Sequence, residues 1–396
     1  MNNYPTYKLG EVADYINGRA FKPSEWKENG LPIVRIQNLN DESAVYHYSD
    51  AEHEEKYLLH DGDLLFAWAA SLGTYIWNGG EAWLNQHIFK VLPKQNVSKM
   101  YLYYALTSII KELYSKSHGS GMVHVTKGKF EETEIPLPPL PTQQAIVTRI
   151  ETLFAELDKA VQHLRTAQQQ LKTYRQAVLN HWMNNEDGKW EMVPIKEIIS
   201  VISNGSTPKA DKMFSKGEIQ FLKVYNLNFD GSINLSKEPV FIERDTHETL
   251  LKRSQTKQGD VLINIVGPPL GKVSIIPEGE KEYNINQAIV MFRPNEFVTS
   301  KFLAYYLMSP QVIAWLTSTS KATAGQYNVK VSTCREIMFP KISISDQHRI
   351  VQEIESRLSQ ATASETYIEN ALQQAEALRQ SILKKAFSGE LVSTLQ

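Results

Sequence analysis

Residues 142–183 contain neither proline nor glycine, and 204 positions later residues 346–387 repeat the pattern without a gap. Gln143, Ile146, Val147, Ile150, Glu151, Ala167, Gln169, Gln170, Arg175, Gln176 and Leu179 recur as Gln347, Ile350, Val351, Ile354, Glu355, Ala371, Gln373, Gln374, Arg379, Gln380 and Leu383. In the first run, apolar or small side chains fall at Ile146, Ile150, Leu153, Leu157, Ala160, Leu164, Ala167, Leu171, Tyr174 and Val178, in alternating steps of three and four. This is the spacing of a seam along a long helix. Such a helix reaches roughly 60 Å at 1.5 Å per residue, too long to be packed inside a small globule. The chain is therefore a duplication, and its two long helices are expected to hide their seams against each other as an antiparallel rod.

Length and composition narrow the class. A chain of 396 residues with 42% hydrophobic content has room for two or three domains. Its longest apolar runs, such as 261–266, fall far short of a membrane span, and the opening MNNYPTYKLG lacks the blocks of a signal peptide, so a cytoplasmic protein with no membrane partner is expected. Cys334 is the only cysteine, which excludes a disulfide framework and a cysteine-based zinc site. The net charge of −2 argues against nucleic acid as a partner, but it hides an asymmetry. Residues 1–141 hold 13 basic against 17 acidic side chains, and residues 191–341 hold 18 against 15. A DNA-binding role would need a partner that supplies further positive charge.

The segment before each long helix repeats loosely as a globule. Leu9 to Gly18 and Ile195 to Gly205 both end in Asn-Gly, and lysine-containing loops follow at Arg19 to Gly30 and Ser206 to Gly217. A strand running into an asparagine turn is expected over Ile33 to Asn40 and Phe221 to Asn228, with Arg35 and Gln37, or Lys223 and Tyr225, on one face. Gly62-Asp63 and Gly259-Asp260 read as turns that launch apolar strands. Leu84 to Phe89 and Ile285 to Val290 read as further strands, and Met100 to Tyr114 and Phe302 to Leu316 as one helix each. Loops at Ser115 to Gly128 and Ser318 to Lys330 precede the prolines that lead into each rod, with Thr142 and Asp346 as expected N-caps. The fold class is α+β: two globular α/β domains alternating with two long helices, related by a pseudo-twofold. The boundaries are 1–141, 142–188, 189–341 and 342–396.

No catalytic constellation is present in the sequence. Gly267-Pro268-Pro269-Leu270 has the two prolines of a methyltransferase tetrapeptide but neither its leading Asn or Asp nor its closing aromatic, and reads as a rigid loop. There is no glycine-rich cofactor loop after a strand and no phosphate loop. Of Asp61 and Asp63 only the second recurs, as Asp260, which marks a turn. His118 and His124 have no histidine counterpart in the second copy, so no metal site is expected.

Two similar but unequal globules on a rigid spacer suit a bipartite target, and duplex DNA with two half-sites is the commonest one. The stretch Leu378 to Val392, LRQSILKKAFSGELV, resembles the C-terminal signature of the specificity subunits of type I restriction-modification enzymes, the HsdS family. Pro-Leu-Pro before Thr142-Gln143-Gln144-Ala145-Ile146-Val147 resembles the start of their first conserved helical region, and the order of globules and helices matches over essentially the whole chain. One departure stands out: the first helix ends Asn180-His181-Trp182-Met183-Asn184-Asn185 where the second has Lys384-Lys385-Ala386-Phe387-Ser388-Gly389.

The resemblance implies a non-catalytic subunit with two target-recognition domains. It further implies two adenine-methylating modification subunits and two translocating restriction subunits as partners. S-adenosylmethionine, ATP and magnesium would belong to those partners. The extra apolar width at Leu153, Phe154, Leu358 and Leu372 would dock them. The competing readings are a coiled-coil scaffold whose globules bind proteins, and a self-contained enzyme.

If the half-sites differ, shared positions such as Asn38, Asn40, Asn85 and Gln86, recurring as Asn226, Asn228, Asn286 and Gln287, should be turn or fold residues. The differing positions become the candidate readers. These are Arg19, Lys22, Gln37, Trp68, Ser71, His124 and Lys127 in the first globule, and Thr207, Lys209, Tyr225, Lys272, Gln326, Asn328 and Lys330 in the second. Arg35 and Lys223 keep their charge and fit phosphates, although an arginine at that place could also read guanine.

Overall fold

A computed structural model describes residues 4–41, 43–116, 125–185, 187–199, 201–279, 281–323 and 326–391. The long helices span Leu140–Met183 and Ile344–Phe387, 44 residues each and again 204 positions apart. Both begin two residues before the expected starts, so Thr142 and Asp346 are not the caps. In the second helix Ser343 caps instead: its hydroxyl accepts the Asp346 N–H at 3.1 Å and donates to the Asp346 carboxylate at 2.8 Å. In the first, the Pro139 carbonyl accepts the Thr142 N–H, and Pro141 is tolerated because first-turn N–H groups have no helical partner.

The chain forms two compact units, residues 1–164 with 370–396 and residues 165–369. Helices and mainly antiparallel sheets combine in both, an α+β fold. In the first unit one sheet has the spatial order Ala13–Asn17, Ile88–Pro93, Leu64–Ala67, Gly73–Ile76. A second runs His47–Ser49, Leu31–Val34, Ala82–Leu84, Leu58–Leu59, its two inner strands parallel. The other unit repeats the first sheet as Val201–Asn204, Ile289–Arg293, Val261–Asn264, Val273–Ile275, and the second as Phe241–Ile242, Ile219–Leu222, Tyr283–Ile285, again with a parallel pair.

Three expectations change. Leu84 to Phe89 and Ile285 to Val290 are crossings, where one strand ends the second sheet and the next begins the first. Phe302 to Leu316 is two helices, Ser300–Leu307 and Pro310–Thr319, because Pro310 has no N–H to continue the first and sits at the start of the second. The loop Ser318 to Lys330 contains a hairpin, Lys321–Thr323 with Gln326–Asn328, that pairs with Val266–Gly267.

Gly18 and Gly205 earn their place by close approach rather than by turn geometry. A Cβ added there would lie 1.9 Å from the Asn85 carbonyl oxygen, or 1.8 Å from that of Ile285. Only glycine lets the chain pass the end of the second sheet.

Each unit holds the start of one long helix beside the end of the other. In the first, Ile146 and Ile150 share a core with Ile382, Leu383 and Ala386 around Phe66, Phe89 and Tyr101. In the second, Val178, Leu179 and Met183 share one with Ile350, Val351 and Ile354 around Phe292, Phe302 and Phe339. The seam departs from the expected one in two places. Ala160 and Tyr174 are exposed, while Val161 and Arg175 face inward, as expected when a helix with 3.6 residues per turn drifts against a 3.5-residue pattern. Arg175 donates to Thr362 and Glu365, each at 2.8 Å, and its repeat Arg379 bonds Asp158, the counterpart of Thr362. Leu153, Phe154 and Leu358 pack against their own globules. The extra apolar width at these three positions is therefore used within each unit.

A buried glutamine clamps each helix start to its globule. Gln143 donates to the carbonyls of Asn96 (3.0 Å) and Pro138 (2.8 Å) and accepts the Ser98 N–H (2.8 Å). Gln347 does the same with Phe297, Ile342 and the Thr299 N–H. Replacing either by leucine strands buried backbone groups, at about 1–3 kcal/mol. Urea denaturation should show a loss of this size for Q143L and for Q347L, and an unchanged midpoint would discard the clamp.

Candidate nucleic-acid interface

Both asparagine turns are built the same way. The strand ends at Val34, and Ile36–Asn40 forms one helical turn. In the second globule the strand ends at Leu222 and Val224–Asn226 forms a 3-10 turn. Strand alternation therefore does not set the facing of Arg35 and Gln37, or of Lys223 and Tyr225, because a short apolar run followed by asparagine turns as soon as its sheet partner ends. Asn38 accepts the Arg35 N–H at 3.1 Å and donates to the Ala44 and Val45 carbonyls. Asn226 accepts the Lys223 N–H at 2.9 Å and donates to Asn234 and Lys237. Both asparagines are buried. They hold the backbone from inside and leave residues 35 and 37, or 223 and 225, partly or fully exposed. Asn40 accepts the Tyr75 hydroxyl from the first sheet, and Asn228 donates locally to Ser232.

Around the first turn, Arg19 pairs with Glu25 and lies over the Phe21 ring. The Lys22 N–H and the Arg19 guanidinium hold the Glu25 carboxyl below the usual carboxylate range. Burial, with help from the Arg19 charge, lowers the affinity of His53 for a proton, so this ring is neutral at pH 7. Arg35 lies 5.8 Å over the Trp26 ring, and Trp26 stacks on His47 at 3.7 Å with 8° between planes. Trp68 donates to Asn17 at 3.0 Å and stacks on Phe89, which fixes it just past the end of an inner strand of the first sheet. Lys127 reaches the Tyr15 carbonyl at 2.9 Å and Glu131 at 3.5 Å. Ser71 is half-buried, and Lys22 and Gln37 are exposed. His118 and His124 lie outside the described residues.

In the second globule Lys223, Tyr225 and Lys272 come together. Lys223 lies 6.0 Å over the Tyr225 ring, Lys272 5.8 Å over the exposed Phe229, and the Lys272 ammonium is 3.4 Å from the Val224 carbonyl. The Tyr225 hydroxyl donates to the Glu238 carbonyl at 3.0 Å. Thr207 bonds Gln287, while Lys209 and Lys330 are exposed at the starts of short helical turns. Asn328 is exposed on the hairpin that also carries the backbone of Gln326.

The structure thus brings together Arg35 with its turn, and Lys223, Tyr225 and Lys272 with theirs; Trp68 and Lys127 are tied into the scaffold. Trp26, His47 and Phe229 were not singled out in the sequence. A tryptophan inside a polar, lysine-containing loop was the signal available for Trp26. Among the described residues, no group of three His, Cys, Asp or Glu side chains is placed to hold a metal ion, and no helix is long and apolar enough to cross a membrane.

Comparison with known proteins gives a consistent result. The family described as "Type I restriction modification DNA specificity domain" matches residues 1–164 and 187–374. The EcoBI specificity subunit of Escherichia coli is 29% identical over 97% of this chain and 85% of its own length. The MjaVIII specificity subunit of Methanocaldococcus jannaschii is 24% identical over 89% and 86%. A solved structure from work on assembly and conformational transition of the type I restriction-modification system superposes with a TM-score of 0.74 at 18% identity, covering 98% of this chain and 99% of that one. The HsdS subunit of Thermoanaerobacter tengcongensis gives 0.55 at 19% identity, covering 98% of both.

Proposed function

The chain belongs to the type I restriction-modification DNA specificity family, and from that premise we propose that it selects the DNA sequence for a type I restriction-modification complex without catalysing a reaction itself. One globule, 1–141, recognises one half of a bipartite duplex site and the other, 189–341, the second half. The helical segments 142–188 and 342–396 pair as an antiparallel coiled coil, related by a pseudo-twofold, and set the interval between half-sites. The complex includes two modification and two restriction subunits. Their S-adenosylmethionine, ATP and magnesium are bound outside this chain, and the assembly works in the cytoplasm.

The observation that carries this reading is the repeated strand order of the four-stranded sheet, and of three strands of the second, in two globules whose exposed turn residues differ. One scaffold presenting two different surfaces is what a target with two unlike halves requires. Binding of a duplex library by the chain in complex with its modification subunits should select two short blocks separated by unspecified bases. Each mismatched pair costs about 1–3 kcal/mol, so scrambling either block should weaken binding by at least about a hundredfold. Affinity indifferent to one block would contradict the assignment and favour a scaffold whose globules bind proteins.

A further inference from the structure

The first globule has only two arginines, Arg19 and Arg35, and the structure treats them differently. Arg19 is engaged by the Glu25 carboxylate. Arg35 has no carboxylate within salt-bridge distance among the described residues, yet its position is closely determined. Its backbone N–H is held by the buried Asn38. Its guanidinium lies over Trp26, which lies flat on His47, and His47 belongs to the strand paired with Leu31–Val34.

From this stack we propose that Arg35 reads a guanine in the first globule's half-site, with Trp26 as the positioning residue that keeps the guanidinium plane in register with the base edge. This rests on the DNA-specificity reading above. A guanidinium offers parallel N–H donors that match O6 and N7 of guanine in the major groove. A phosphate can be held by a point charge alone, as a lysine supplies it, so the fixed guanidinium plane over Trp26 is what points to a base edge rather than to the backbone. The second globule has such a lysine at the corresponding turn: Lys223 beside Tyr225 is a point charge on a flexible stem. The two turns thus divide the work, Arg35 reading a base edge and Lys223 holding a phosphate.

Sequencing of duplexes selected from a random library by the protein in complex with its modification subunits tests this. The wild-type chain selects a guanine in one block. R35K keeps the charge and loses the preference for that guanine by about tenfold or more, with the other block unchanged. R35Q loses it as well. W26L, at an unchanged melting temperature, relaxes the same single position, whereas a merely structural tryptophan would lower stability without altering one base. K223R leaves the selected sequence of the second block as it was. The proposal is overturned if R35K and R35Q retain every selected base and lose affinity uniformly, since that is the behaviour of a phosphate contact. A wild-type complex with the modification subunits that selects no sequence overturns the underlying specificity reading, and it does so before any variant is compared.

Discussion

Inserting one heptad between Thr166 and Ala167, and a second between Asn370 and Ala371, should lengthen the preferred gap between half-sites by about 3 base pairs. Seven residues add about 10 Å of helix at 1.5 Å per residue, and duplex DNA advances about 3.4 Å per base pair. The two insertion points are equivalent under the 204-residue repeat. Within the units, the helices carry equivalent cross-helix bonds, Arg175 with Thr362 in one and Arg379 with Asp158 in the other. A full heptad keeps the apolar seam in phase, so the cores that receive Ile146 and Ile382, or Val178 and Ile350, are left alone. The gap preferred by the variant is read from selected duplexes. An unchanged gap would end the idea that the helices set it, while loss of all selection with intact folding would show that the interval is fixed elsewhere.

Replacing Asp260 by alanine should destabilise the second unit by about 3 kcal/mol. Asp260 is fully buried, and both its oxygens bind Arg293, at 2.8 and 2.7 Å. It also accepts the Lys257 N–H that closes the turn before Val261–Asn264. Removing it leaves a mostly covered guanidinium without a counter-charge. The same substitution at Asp63 should cost less, because its partner Lys90 retains the Leu58 carbonyl and the Asp63 carboxylate is 22% exposed where that of Asp260 is fully buried. Hydrogen exchange distinguishes the two: D260A should speed exchange across the strands of the second unit and leave those of the first unchanged. Equal effects of D260A and D63A would refute the difference.

The duplication was the most legible feature because the repeated helices are locked at a constant offset and a missing proline or glycine is unambiguous. The Gly-Asp turns were legible for a similar reason: Gly62 and Gly259 adopt φ of +86° and +80°, and the following aspartate bonds back to the turn. Strand ends were harder. Ile33 to Asn40 alternates well enough for one strand, but its partner Ala82–Leu84 is only three residues long, so pairing stops and the chain turns. The break at Pro310 was visible in the sequence, yet the apolar spacing continued across it. Arg35 and Lys223 were found by comparing the copies; the aromatic support of Arg35 comes from Trp26 and His47, which are distant in sequence and meet only through strand pairing.

Asn38 and Asn226 complete their turns with their own amide groups and ask little of the residues beside them. Exposed neighbours can therefore be exchanged while the loop keeps its course, so that substitution there is tolerated by the architecture. A lineage carrying this scaffold can drift to a new target, and a protein engineer can build a library on it, without first having to rescue folding.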